Sequence, residues 1–127
     1  MLKRSSFTAN LDTLPAMMLW IEECINLLKL PPPDMRKVKL ALEEAIVNVI
    51  NHAYESQKGE LDLIFRLYRK KIKFILKDKG FPFDPLNQKT KVGGEGGLGI
   101  LLMREYMDEI YYERSDPYNC LTLVKKI

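Results

Sequence analysis

Three polar side chains recur at one-turn intervals along an otherwise apolar segment, at Glu44, Asn48 and His52. At about 100° per residue, positions i, i+4 and i+8 follow one edge of a helix. The apolar arc beside this edge consists of Val38, Ala41, Leu42, Ala45, Ile46, Val49, Ile50 and Ala53. A carboxylate, an amide and an imidazole at such a margin can hold a cation or accept a proton. An exposed glutamate, a bonded amide and a structural histidine would show the same spacing, so the segment alone leaves both interpretations open.

A second group of candidate residues lies between Asp78 and Gly99. Asp78 ends an alternating apolar segment and precedes Gly80, an Asp-x-Gly arrangement that also occurs in ordinary turns. Further on, Gly93-Gly94-Glu95-Gly96-Gly97-Leu98-Gly99 opens a helical pattern. Glycines let backbone N–H groups approach an anion, and a helix N-terminus carries about half a positive charge, so this stretch is a candidate phosphate cradle. A flexible linker would contain the same glycines.

The glycine cluster does not fit two common phosphate-binding motifs. Gly94, Gly96 and Gly99 satisfy G-x-G-x-x-G, but a dinucleotide fingerprint follows a strand directly within a βαβ unit. Here a long irregular loop precedes the glycines. A Walker A loop needs Gly-Lys-Ser/Thr, which does not occur in the chain. A dinucleotide-binding fingerprint and a Walker A loop are therefore both excluded.

Apolar periodicity predicts the elements that must position these residues. Residues 2–9 form a first strand, a helix follows from about Leu14 to Leu28, and Pro31-Pro32-Pro33 ends that helix. Asp34 is expected to cap a second helix that runs to about Tyr54. Later come strands at 60–68 and 72–78, a loop at 79–99, a third helix, and strands at 110–113 and 121–125. The order β-α-α-β-β-α-β-β predicts a two-layer α/β (α+β) sandwich, with about three helices on one face of a mixed, mostly antiparallel sheet.

Composition narrows the classes of function. The 127 residues are expected to form one domain over 1–127, with 46% hydrophobic and 29% charged residues. The net charge of +3 arises from 20 basic and 17 acidic residues, too balanced to indicate nucleic-acid binding. Cys24 and Cys120 lack metal-ligand spacing and indicate free thiols in a reducing compartment. No apolar run reaches the roughly 20 residues of a membrane span, so we expect a cytoplasmic protein without a membrane partner.

In combination and in this order, the motifs resemble the nucleotide site of the GHKL ATPase superfamily. The shared pattern is Glu-x-x-x-Asn on a helix, Asp-x-Gly after a hairpin strand, and a glycine cluster that opens another helix. Within that superfamily the chain is most similar to the anti-sigma factor serine/threonine kinases of the RsbW/SpoIIAB type. This closer resemblance rests on residues 43–48, His52-Ala53-Tyr54, Pro82-Phe83-Asp84-Pro85 and 97–109. It implies the Bergerat, or histidine-kinase-like ATPase, fold.

The resemblance also implies roles for the matching residues. Glu44 would be the general base, Asn48 the Mg²⁺ ligand, and Asp78 the acceptor for the adenine amino group. The implied nucleotide-binding set is Asn48, His52, Asp78, Gly80, Gly96, Gly97, Leu98, Gly99 and Thr122. In this set the glycines of the cluster supply backbone on the phosphate side, and Thr122 supports adenine recognition from the last strands. One departure is that Phe81-Pro82 follows the first glycine, so the second glycine of Asp-x-Gly-x-Gly is missing.

The function implied by the resemblance is that of an ATP-dependent, Mg²⁺-dependent protein-serine kinase. It would phosphorylate a small anti-anti-sigma (STAS-domain) protein, sequester a sigma factor and form a homodimer, without contacting nucleic acid directly. The alternative is a nucleotide-binding partner-switching regulator with little or no kinase activity, because Glu44 and Asn48 would serve binding and catalysis alike. The catalytic domain of a histidine kinase is disfavoured, since no dimerisation helix with a phosphorylatable histidine precedes the site and His52 lies within the site helix.

Overall fold

A computed structural model describes residues 1–54, 58–87 and 97–127. Its helices and strands follow the predicted order. They are β1 (Leu2–Thr8), α1 (Leu14–Ile25), α2 (Pro32–His52), β2 (Glu60–Leu67), β3 (Lys71–Asp78), α3 (Gly97–Tyr106), β4 (Glu109–Ser115) and β5 (Tyr118–Lys126), with short 3₁₀ turns at Leu11–Thr13 and Pro85–Asn87. The predicted two-layer α+β fold is confirmed.

The sheet has five strands in the order β1-β2-β3-β5-β4, and each neighbouring pair is antiparallel. The prediction of a mixed sheet therefore needs correction for the described strands. β4 runs in the same direction as β3, as expected for strands joined through a helix, but β5 lies between them. Neighbouring strands consequently always run in opposite directions.

The three helices cover one face of the sheet and share a single apolar core with it. Alternate residues of β3 point inward, and Ile72, Phe74 and Leu76 are fully or almost fully buried. From α2 the core receives Val38, Ala41, Leu42, Ala45, Ile46 and Val49, which is the apolar arc that the periodicity predicts. α2 contacts both α1 and α3 and is thus the central helix of its layer. Among the described residues, no helix has both the length and the apolar character that a membrane span requires.

The start of α2 differs from the prediction that Asp34 caps it. The helix begins at Pro32, and the carbonyl of Pro31 accepts hydrogen bonds from the N–H groups of Asp34 (2.9 Å) and Met35 (3.1 Å). A proline at the first helical position costs no backbone hydrogen bond, because the first N–H groups of a helix have no intrahelical partner. Asp34 lies in the first turn, where its carboxylate interacts favourably with the helix dipole.

The end of α2 is joined closely to the end of β3. The Phe81 N–H donates to the carbonyl of Ala53 at 2.9 Å, and the Tyr54 hydroxyl accepts from the Lys79 N–H at 2.9 Å. Gly80 lies so near that a Cβ there would stand 2.2 Å from the Ala53 carbonyl oxygen. Only glycine fits this contact, which fixes the position of Asp78 relative to the helix.

The contact between Gly80 and Ala53 predicts that Gly80→Ala destabilises the fold. Because the obstacle is backbone, we expect a loss of about 2–3 kcal/mol in the free energy of unfolding, measured by urea denaturation followed through Trp20 fluorescence.

Gly99→Ala is the matched control, because the nearest atom to its new Cβ is the movable Glu44 Oε2, at 2.5 Å. Gly99 lies within α3, where alanine is the better helix former by about 1 kcal/mol, so this variant should be at least as stable as the native chain. Equal stabilities for Gly80→Ala and the native chain would contradict the assignment.

Candidate functional site

A small cleft lies where α2 meets the ends of β3 and β5. It is lined by Ala45, Asn48, Val49, Ala53, Asp78, Phe83, Pro85, Tyr112, Asn119 and Leu121. Its volume is about 20 Å³, room for about one water molecule. The walls are mostly apolar, and a few polar groups converge in them, which is the usual composition of a small-molecule site.

Asp78 is the buried carboxylate of this cleft, with only 4% of its surface exposed. Its Oδ1 accepts hydrogen bonds from the Gly80 N–H at 2.8 Å and from Asn119 Nδ2 at 2.9 Å. Within the described ranges, no donor contacts Oδ2. Burial raises the pKa of Asp78 above its ordinary value, while the two hydrogen bonds and the positive charge of Arg114 act in the opposite direction. The residue therefore offers one oxygen atom for an incoming hydrogen-bond donor.

Asn119 is a site residue that the sequence analysis missed. It is 4% exposed and lies directly across from Asp78 in the pairing of β3 with β5. The last strand is predicted to begin at residue 121, whereas β5 begins at Tyr118, so Asn119 falls between the two predicted strands. Extending the alternation of β5 by one more inward position places Asn119 on the face toward the helices, and the pairing of β5 with β3 then brings it beside Asp78.

Thr122 is not brought to the cleft. It pairs with Ile75 on β3 and with Tyr111 on β4, whereas Asp78 is opposite Asn119. Successive strand residues point to opposite faces, so Thr122 lies on the sheet face away from the helices. Leu121 lines the cleft in the place where the resemblance would put Thr122.

The three polar residues of α2 lie along one edge of the helix, as their spacing predicts. Glu44 is half-buried, and its carboxylate reaches the first turn of α3 at Gly99. Asn48 lines the cleft one turn later. His52 is exposed and stacks on Phe83, with ring centroids 4.8 Å apart and an angle of 22° between the rings.

The glycine cluster is only partly described. Gly97, Leu98 and Gly99 form the first turn of α3, where Leu98 is exposed, whereas Gly96 lies outside the described residues. The backbone N–H groups in the first turn of this ten-residue helix have no intrahelical acceptor and can bind an anion. The Asp78 carboxylate, the Asn48 amide and the first turn of α3 thus lie one after another beside α2.

Residues 7–125 match the sequence profile of the family described as the histidine kinase-like ATPase domain. The chain belongs to this family. Membership implies ATP as the nucleotide of this ATPase domain, and it agrees with the Bergerat fold that the resemblance implied.

Curated relatives of the ATPase domain carry the name serine-protein kinase RsbW. The protein of that name from Bacillus thuringiensis (strain Al Hakam) is 35% identical over 88 residues, which cover 61% of this chain and 55% of the relative. One from Bacillus anthracis (strain CDC 684 / NRRL 3495) is 34% identical over the same shares. The chain thus aligns with about half the length of these relatives, and the predicted resemblance to the RsbW type is confirmed.

Solved structures confirm the fold of the ATPase domain. A structure of the RsbU and RsbW domains of a Mycobacterium tuberculosis protein superimposes with a TM-score of 0.72 at 13% identity, over 98% of this chain and 32% of the other. The histidine kinase domain of a blue-light activated kinase from Erythrobacter litoralis gives a TM-score of 0.62 at 16% identity, over 88% of this chain and 60% of the other.

The raised pKa of Asp78 predicts a pH dependence of stability. The folded state holds the proton of Asp78 more tightly than the unfolded state, in which the pKa is about 3.9, so protonation of Asp78 stabilises the fold. This stabilisation is complete below about pH 3.9 and is lost as the pH rises through the raised pKa. Asp78→Asn keeps an oxygen acceptor for Gly80 and Asn119 but cannot ionise. Its free energy of unfolding relative to the native chain should therefore rise from pH 3.5 upward and level off, measured by urea denaturation at each pH.

Asp116→Asn is the control for the Asp78 substitution, because it removes a carboxylate that is 92% exposed and also lies near Arg114. A difference between Asp78→Asn and the native chain that stays constant or falls with pH would contradict burial as the main influence on Asp78.

The placement of Thr122 predicts that its hydroxyl makes no contribution to nucleotide affinity. Thr122→Val preserves the shape of this buried side chain on the far face of the sheet. We expect ATP affinity, measured by isothermal titration calorimetry, to stay within about twofold of native, whereas Leu121→Ala should weaken it by removing part of the cleft wall. A tenfold loss in Thr122→Val would restore the role implied by resemblance.

Proposed function

We propose that this chain is a Mg²⁺-ATP-dependent protein-serine kinase of the RsbW type that acts as an anti-sigma regulatory factor in the cytoplasm. It phosphorylates a serine of a STAS-domain anti-anti-sigma protein, sequesters a sigma factor and forms a homodimer. The observation that carries the proposal is the placement of Glu44 and Asn48 on one edge of α2, between the first turn of α3 and Asp78. The names of the curated relatives support the choice of serine as the acceptor.

The cleft would bind the adenine base of ATP. Oδ2 of Asp78 is an acceptor for the exocyclic amino group, and the apolar side chains of Val49 and Leu121 would contact the ring. The N–H groups of the first turn of α3 would then bind phosphate oxygens, supported by the helix dipole. The glycines at 97 and 99 allow this backbone to approach the phosphates closely.

Asn48 fits the role of a Mg²⁺ ligand. Mg²⁺ prefers oxygen ligands and keeps several of its waters, so a single amide oxygen and the phosphates form a sufficient set of partners. Asn48 lies one turn from Glu44, on the side of the cleft that leads toward α3. Bound Mg²⁺ would neutralise phosphate charge during transfer.

Glu44 fits the role of the proton acceptor. In the proposed reaction a serine hydroxyl oxygen attacks the γ-phosphorus, the bond to the β-phosphate oxygen breaks, and the serine proton passes to the Glu44 carboxylate. Phosphoryl transfer depends mainly on positioning, and Glu44 is held against the first turn of α3, where the phosphates would bind.

The proposal predicts that Glu44→Gln separates binding from transfer. Loss of a general base lowers rates by about 10²–10⁴-fold, so labelling of a cognate STAS protein with radiolabelled ATP should fall by at least about 100-fold. ATP affinity should stay within about threefold, because the amide preserves the shape and most contacts of the side chain.

Glu43→Gln is the matched control, since Glu43 is also half-buried but lies about 100° away around the helix. It should retain labelling. Full labelling by Glu44→Gln would remove Glu44 from its role, and ATP binding by the native chain without any labelling would favour the partner-switching regulator.

A further inference from the structure

We propose that Asn119 is a positioning residue for base recognition, because it orients the Asp78 carboxylate and the backbone that follows it. The inference rests on the proposed ATP site and extends it to a residue outside the motifs of that site. This role goes beyond packing, because Asn119 then contributes to the preference of the site for a base that carries an amino group.

The hydrogen bonds of Asn119 use its whole side-chain amide. Nδ2 donates to Asp78 Oδ1 at 2.9 Å and to the Phe81 carbonyl oxygen at 2.7 Å. Oδ1 accepts from the Phe83 N–H at 3.3 Å and from the Tyr112 hydroxyl. An amide has two N–H donors and two acceptor sites on its oxygen, so all four are occupied.

These partners also determine which way the amide faces. In the opposite orientation, Oδ1 would face the Asp78 carboxylate and the Phe81 carbonyl, two acceptors, and Nδ2 would face the Phe83 N–H. Acceptors would then face acceptors at Asp78 and Phe81, and donors would face each other at Phe83, which is unfavourable in a buried or part-buried setting. The side-chain Nδ2 of Asn119 is therefore held toward Asp78.

The consequence for Asp78 is a fixed carboxylate. With Oδ1 bonded to both Gly80 N–H and Asn119 Nδ2, rotation of the carboxylate would break two hydrogen bonds at once. Oδ2 is thereby kept as the oxygen that can accept from the base. The charged acceptor makes a stronger hydrogen bond than a neutral one would.

Asn119 also compensates for a departure from the family pattern. The turn after Gly80 continues with Phe81-Pro82 where a second glycine is expected, and Asn119 bonds the backbone on both sides of Pro82, at Phe81 and at Phe83. Phe83 lines the cleft, so the same side chain holds both the acceptor and one wall.

The test compares ATP with purine riboside triphosphate, which lacks the 6-amino group. Hydrogen bonds to charged groups are worth more than neutral ones, so the native chain should bind ATP at least about tenfold more tightly. In Asn119→Ala this preference should fall to about twofold, while affinity for purine riboside triphosphate changes little. A purely structural role would weaken both nucleotides equally, and that result, or an undiminished preference, would overturn the inference.

Two further variants keep the test decisive. Tyr112→Phe removes one donor to Asn119 with little change in shape, and it should lower the preference for ATP by about threefold even if Asn119→Ala fails to fold. Cys120→Ser is the control, because it is the next residue on β5 and lies on the other face. It should retain the native preference.

The two proposals fail in different ways. Native protein that binds neither nucleotide would refute the ATP site itself, and the role of Asn119 with it. Native protein that prefers ATP, together with an Asn119→Ala variant that shows the same preference, would refute only the role of Asn119.

Discussion

The buried carboxylate of Asp78 is the constraint around which the site is built. A carboxylate removed from water is unfavourable unless hydrogen bonds and opposite charge compensate it. Here the compensation comes from the Gly80 N–H, the Asn119 amide and the nearby Arg114. The Gly80 N–H can reach Asp78 only because a residue without a side chain allows the turn to lie against the end of α2. Fold and site thus share the same contacts at this corner.

α2 is the second fixed part, because it sets distances along the site. With a rise of 1.5 Å per residue, Glu44 and His52 are separated by about 12 Å along the helix axis. The apolar arc buries the helix on the sheet and prevents it from turning, so the polar edge faces the cleft and α3. A rigid helix with one buried face therefore sets the spacing of Glu44 and Asn48, and the turn at Gly80 sets the position of Asp78 beside them.

The sequence predicted what local periodicity controls. The order of the elements, the apolar arc of α2 and the edge shared by Glu44 and Asn48 all follow from spacing within one segment. Asn119, the face occupied by Thr122 and the wholly antiparallel order depend on which strand lies beside which, a property of distant segments. The start of α2 was misplaced because a carboxylate cap and a first-turn aspartate look alike in sequence, and Gly96 lies beyond the described residues.

The stacking of Phe83 on His52 has a consequence for the affinity of the cleft. The free volume of about 20 Å³ has room for about one water molecule, so a purine base would enter only if the cleft widened, and Phe83 is one of its walls. A ligand that binds only a minor open population has its apparent affinity reduced by that fraction. Widening that moves Phe83 would separate the two stacked rings, so the contact with His52 would lower the apparent affinity of the cleft for a base.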